Sequence, residues 1–288
     1  MPLERDVFGR TFRNPLLLAA GTAGFGRELD GAVDWHAVGG IVTKAVSLAP
    51  RVGNRPPRVA EFAGGMMNAV GLANPGLAHV QADELPWLAA HAGQTRVLVN
   101  VVGFAEAEYA EVVEGLDQFD VITAYELNLS CPNTHAGGIE FGADPTSVAR
   151  VVAACRKQTS RPIVAKLSPA LPDVAGIALA ARDAGADAVS VVNTMPGLMQ
   201  HADGTPRLGN RFGGISGPTL LAVGTLAVSR ILERTGGMTV IGTGGVRTAE
   251  DVRQYLRVGA TLVALGTAMM ADPHLPARLV RELERGDG

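Results

Sequence analysis

Cys131 stands in the run Asn128, Leu129, Ser130, Cys131, Pro132, Asn133, where an apolar stretch gives way to a loop that a proline opens. A thiolate is a base and a nucleophile, and a free cysteine titrates at about 8.5, so a thiol placed this way is suited to chemistry near neutral pH. Other apolar runs also end in polar residues or glycine: Lys44, Asn100, Asn128, Lys166, Asn193 with Thr194, Gly244 with Gly245, and Gly266 with Thr267. A lysine that terminates a buried strand needs an anionic or carbonyl-rich partner, because an unpaired buried ammonium is costly. Asn68, Asn128, Asn133 and Asn193 each carry a paired donor and acceptor, which suits a flat heterocycle with alternating C=O and N–H groups. The glycines at 244, 245 and 266 suit a phosphate held by main-chain N–H groups. Cys155 lies inside a helical pattern and reads as a small core residue.

Something must bring these residues to one place. Eight short β-branched or apolar runs cover residues 16–21, 40–45, 97–102, 125–130, 162–167, 188–194, 239–244 and 262–267. Helical patterns fill 144–158, 173–184, 218–233, 249–258 and 273–284, with Asp173 as an early helix acid and Thr248 with Asp251 as a capping box. Eight nearly continuous hydrophobic strands alternating with helices predict an α/β fold, a (β/α)8 TIM barrel occupying residues 1–288 as a single domain. A doubly wound open sheet fits less well, since the turn from Ala20 to Gly26 lacks a dinucleotide fingerprint. Two long inserts, 46–77 and 195–217, leave the C-terminal ends of strands, the face on which such barrels build active sites.

Composition narrows the partners. Lys and Arg number 25 against 28 Asp and Glu, a net charge of −3, so no basic footprint for nucleic acid is present. No apolar stretch approaches the roughly 20 residues that span a bilayer, which predicts a soluble, cytoplasmic protein without a membrane partner. Two cysteines supply neither a disulfide framework nor the four ligands of a usual iron–sulfur cluster, and the six histidines show no close pair at metal-ligand spacing. No metal site is expected.

The spaced motifs together resemble the catalytic flavoprotein subunit of class 1B dihydroorotate dehydrogenases. They are Phe25-Gly26-Arg27-Glu28, Lys44, Pro50-Arg51-Val52-Gly53-Asn54, Pro57-Arg58-Val59, Gly64-Gly65-Met66-Met67-Asn68-Ala69-Val70-Gly71-Leu72, Asn74-Pro75-Gly76, the cysteine hexapeptide, Gly137-Gly138-Ile139, Lys166-Leu167-Ser168-Pro169, Asn193-Thr194, Ser216-Gly217-Pro218 and Gly244-Gly245. The resemblance implies FMN at the barrel mouth, contacted by Ala20, Gly21, Lys44, Ala45, Asn100, Asn128, Lys166, Val192, Gly217, Gly244, Gly245, Gly266 and Thr267, with Lys166 at the pyrimidine edge and the last four around the phosphate. It places dihydroorotate against Lys44, Asn68, Ala69, Val70, Gly71, Leu72, Asn128, Asn133, Asn193 and Thr194, and makes Cys131 the base that takes the C5 proton while C6 gives a hydride to the flavin N5. Residues 132–142 would form a lid over the substrate. The same resemblance implies a homodimeric core joined by a partner subunit with FAD and a [2Fe-2S] cluster, giving a heterotetramer that passes electrons to NAD in pyrimidine biosynthesis.

Two positions depart from the family pattern: Ala20 where a serine is common, and Phe212 where a small polar residue precedes the paired glycines. Rival readings are a dihydropyrimidine dehydrogenase-type enzyme, a fumarate-dependent class 1A enzyme, a Schiff-base aldolase using Lys166, and a flavin-binding assembly subunit without activity.

Overall fold

In the computed structural model, which describes residues 3–129 and 141–286, eight parallel strands close into a barrel. They are β1 (Leu16–Leu18), β2 (Gly40–Val42), β3 (Arg96–Val101), β4 (Ile122–Asn128), β5 (Ile163–Lys166), β6 (Ala188–Val191), β7 (Thr239–Thr243) and β8 (Leu262–Leu265). Each pairs with its neighbours in sequence, and β8 closes on β1 through the register Val263↔Leu16 and Leu265↔Leu18. All eight expected runs are strands, each ending a few residues earlier than its apolar run does. The residues past those ends turn into the loops of the mouth.

Alternation along the strands separates two cores. Leu17, Val42, Leu98, Ala124, Val164, Ala188, Ile241 and Leu262 point to the barrel axis and fill its lower half. Val7 and Phe12, on a hairpin pairing Arg5–Val7 with Arg10–Phe12, belong to the same buried cluster and stop the N-terminal end. The residues between them, such as Val97, Val99, Val189 and Val263, face the helices and build the larger core.

The expected helices are present as Pro145–Arg156, Val174–Asp183, Leu220–Thr235, Ala249–Arg257 and Leu275–Glu284. Asp144 caps the first by accepting the Ser147 N–H at 2.8 Å, and Asp173 caps the second by accepting the Gly176 N–H at 2.9 Å. Asp173 is therefore the cap itself rather than a first-turn acid. Thr248 and Asp251 form the expected reciprocal box. Two further helical stretches, residues 77–91 with a π-turn over Val80–Glu84, and Glu106–Leu116, complete the ring.

The two inserts differ from the loops expected of them. Val59–Phe62, Gly65–Asn68, Phe212–Ser216 and Met195–Leu198 pair into one four-stranded antiparallel sheet over the mouth. The central pairing, Asn68↔Gly214, joins the first insert to the second. Phe212, the family departure, lies on this sheet with 62% of its surface exposed, so its ring enters no core.

Candidate active site

Two residues above the apolar lower layer, the axis-facing positions change character. Lys44 follows β2, Asn100 lies on β3, Glu126 and Asn128 on β4, Lys166 on β5, Ser190 on β6 and Thr243 on β7. Four consecutive strands thus present Lys44, Asn100, Glu126 and Lys166 to one cavity floor. Glu126 is 2% exposed and accepts a hydrogen bond from Asn100 Nδ2 at 2.7 Å; the Lys166 ammonium lies 3.4 Å from the same oxygen. The anionic partner that Lys166 requires is a side chain of the protein. Sequence reading overlooked it because Glu126 is inside a strand, not at its end; its place midway between Ala124 and Asn128 on the inward face was the available signal. Ser190 and Thr243, 3.4 Å apart through their hydroxyls, were missed for the same reason. Lys44 differs from Lys166: its ammonium has no acceptor among the described residues, while its backbone N–H bonds Gly24 O at 2.7 Å.

The other half of the rim is made of main chain. Ala19 N donates to Leu265 O at 2.8 Å, which sets Ala20 and Gly21 beside Gly266 and Thr267. Gly244 and Gly245 turn the chain at φ +110° and +77°, values that favour glycine. The N–H groups of Gly244, Gly245, Gly266 and Thr267 donate to no acceptor among the described residues. This is the donor set an anion such as a phosphate needs. A Cβ at Gly266 would clash with nothing, meeting Ala19 Cβ at 3.7 Å and Thr22 Cγ2 at 4.0 Å, both ordinary van der Waals distances.

Tyr255 fixes this turn from behind. Its hydroxyl lies 2.9 Å from Thr243 O and 2.8 Å from Gly244 O, and its ring occupies the space that a Cβ on Gly242 would take. Burial, helped by the Asp251 carboxylate, pushes its phenol above the ordinary tyrosine range, so it stays a donor.

Val192 meets Gly244 across this turn, and both Val192 and Ala45 have their side chains in the helix-facing core, so both border the mouth mainly by backbone. Gly217 O accepts Leu220 N at 3.1 Å, opening the helix beyond, and neighbouring Ser216 receives the Thr267 hydroxyl at 2.7 Å. The Asn68–Leu72 segment is anchored from below: Ala69 N donates to Arg58 O, and Asn54 binds the carbonyls of Val70 and Ala69. Leu72 takes a left-handed φ of 58°. Thr194 packs onto the bare backbone of Gly214 beside Asn68, and Asn193 Oδ1 accepts the Thr194 N–H at 2.8 Å. The expected residues that are described thus come from both inserts and from the ends of all eight strands. Cys131 and Asn133, with residues 132–140 of the expected lid, lie outside the described residues. Cys155 is wholly buried and its thiol is pushed up to about 12 by that burial, an inert core residue as expected.

No helix among the described residues is long and apolar enough to cross a membrane, and no group of three His, Cys, Asp or Glu among them could hold a metal ion. The fold is similar to a dihydroorotate dehydrogenase from Eimeria tenella solved in complex with ferulenol, with a TM-score of 0.81 at 24% identity, covering 98% of this chain and 83% of that one. In sequence the chain is 42% identical over 280 residues to a protein of Desulforudis audaxviator, covering 97% of this chain and 90% of the relative. It is 41% identical over 282 residues to one of Bacillus pumilus, covering 98% and 90%. Both relatives are named the catalytic subunit of dihydroorotate dehydrogenase B (NAD(+)). The family model for dihydroorotate dehydrogenase matches residues 2–286, and the chain belongs to the dihydroorotate dehydrogenase family.

Proposed function

We propose that this protein is an FMN-dependent dihydroorotate dehydrogenase, the catalytic subunit of a type B enzyme, which oxidises (S)-dihydroorotate to orotate in pyrimidine biosynthesis. The observation that carries this reading is family membership over nearly the whole chain, at 42% identity to a named catalytic subunit. The mouth fits the cofactor's chemistry: the backbone N–H groups of Gly244, Gly245, Gly266 and Thr267, without acceptors among the described residues, suit a phosphate, and the polar side chains opposite suit the edge of a flat ring. Bound FMN supplies the acceptor for the hydride from substrate C6.

The chain's residues do the rest. Lys44, with no acceptor of its own among the described residues, pairs with the substrate carboxylate. Asn128, Asn133, Asn193 and Thr194, with the Asn68–Leu72 segment, orient the pyrimidine ring. Cys131 as thiolate takes the C5 proton, so the substrate loses a proton from C5 and a hydride from C6 and the C5–C6 double bond forms. The insert sheet excludes water.

The protein as isolated should be yellow, and anaerobic dihydroorotate should bleach it; a flavin that dihydroorotate leaves oxidised would refute the assignment. The names of the relatives mark them as one subunit of a larger enzyme. We assign electron transfer to NAD to a partner carrying FAD and a [2Fe-2S] cluster, bound to a homodimer of this chain. The isolated chain should then reduce its FMN yet react slowly with NAD, and fast NAD reduction by this chain alone would remove the need for a partner.

A further inference from the structure

We infer that Glu126 is a positioning residue for the cofactor, holding the Lys166 side chain on the cavity floor and keeping its ammonium charged. The inference rests on the FMN reading above. Asn100, Glu126 and Lys166 are 1%, 2% and 7% exposed, and they come from three adjacent strands. The register sets Asn100 level with Glu126, whereas Lys166 is level with Asn128, one inward step higher. Lys166 therefore leans down to bring its nitrogen within 3.4 Å of the Glu126 oxygen, and Asn100 Nδ2 fixes that oxygen at 2.7 Å. A lysine with a flexible four-carbon stem in a cavity has many rotamers, and the carboxylate selects one.

Charge makes the second half of the argument. A buried ammonium without a counter-charge gives up its proton readily, because burial disfavours the charged form. Among the described residues, the ionisable side chains facing this floor are Glu126 from β4, Lys166 from β5 and Lys44 after β2; Asn100, Ser190 and Thr243 are neutral. Cys131 follows β4 beyond the described residues. Two ammonium groups and one carboxylate leave one positive charge on the floor. That charge sits at Lys44, which serves the substrate carboxylate, while the Lys166–Glu126 pair serves the flavin edge without competing for the substrate.

The test is the FMN dissociation constant of the apoprotein from pH 6 to pH 9, followed by quenching of FMN fluorescence, for wild type, Glu126→Gln, Glu126→Asp, Lys166→Met and Glu126→Gln/Lys166→Met. Wild type should bind with little pH dependence over this range. Glu126→Gln keeps the hydrogen bond to Asn100 and should bind within a few-fold of wild type at pH 6, then weaken about tenfold by pH 9. Both variants lacking Lys166 should bind weakly with a flat profile. Glu126→Asp should fall between wild type and Glu126→Gln, and it carries the test if Glu126→Gln does not fold. A Glu126→Gln profile parallel to that of wild type, or a pH-dependent loss that persists in Glu126→Gln/Lys166→Met, overturns the role of Glu126 and leaves the FMN reading standing. A wild type that binds no FMN overturns the FMN reading itself.

Discussion

The two halves of the barrel mouth are built by different means. From the end of β7 round to β1 the rim is main chain, with Gly244, Gly245, Gly266 and Thr267 offering N–H groups whose positions the fold itself fixes. From β2 to β5 it is side chain, with Lys44, Asn100, Glu126 and Lys166 carrying the charge. Main-chain donors neither titrate nor change rotamer, which suits an anchor. Side chains can be tuned in charge and reach, which suits the place where a proton and a hydride move. Anchor and chemistry are thereby separable by mutation.

The largest effect belongs to the side-chain half. Cys131→Ser should slow reduction of the flavin by dihydroorotate about 10²- to 10⁴-fold, the usual worth of a general base, with FMN retained. Stopped-flow reduction at neutral pH checks this, and an unchanged rate removes Cys131 from the mechanism. Lys44→Met should raise KM for dihydroorotate about 10- to 100-fold, the worth of a charge-assisted hydrogen bond, without stripping the FMN. Loss of cofactor from that variant would merge the two halves into one.

Gly266→Ala probes the anchor. Its Cβ would meet Ala19 and Thr22 only at ordinary van der Waals distance, so the apoprotein should keep its Tm while FMN binds about tenfold more weakly, a difference near 1.4 kcal/mol. Turnover per bound flavin should not move; a slowed hydride step would blur the division. Smallest is Tyr255→Phe, which removes the hydroxyl behind Gly244 and should cost about 1 kcal/mol in a denaturant titration. The pH sign follows from its raised pKa. Unfolded tyrosine ionises near about 10 and the folded residue does not, so its contribution is complete below that pH and is lost as pH rises above it. Tyr125, buried beside Asp117 and raised likewise, adds a second loss in the same range, so Tyr255→Phe should lessen the alkaline decline without abolishing it.

Much of this arrangement was legible in the sequence, for physical reasons. The strands of a barrel are buried on both faces and so read as unbroken apolar runs, and the residue that ends such a run must lie at the rim. Lys44, Asn100, Asn128 and Lys166 were found that way. Glu126 was not, because a carboxylate two residues short of a strand end looks like an interruption until the inward face is followed from Ala124 to Asn128. The insert sheet was hidden more deeply. Met195-Pro196-Gly197-Leu198 and Phe212-Gly213-Gly214-Ile215-Ser216 carry glycine and proline where strands usually carry β-branched residues; they pair with each other, and Phe212–Ser216 pairs on its other side with the distant Gly65–Asn68. Local composition holds no trace of that partner. The helix Glu106–Leu116 was legible but not picked out: Tyr109, Val112, Val113 and Leu116 recur at i, i+3, i+4 and i+7 and form its buried face, set among glutamates that mask the pattern.

That distant pairing also sets a clock on biosynthesis. Asn68 waits for Gly214, 146 residues later in the chain, before its side chain finds the glycine carbonyl. At roughly 5–20 residues per second on a ribosome, the gap is about 7–30 s, during which the Gly65–Asn68 strand has an open edge. The short, glycine-rich build of these strands, poor at recruiting strangers, is suited to that wait, and the roof of the site closes only when most of the polypeptide has been made.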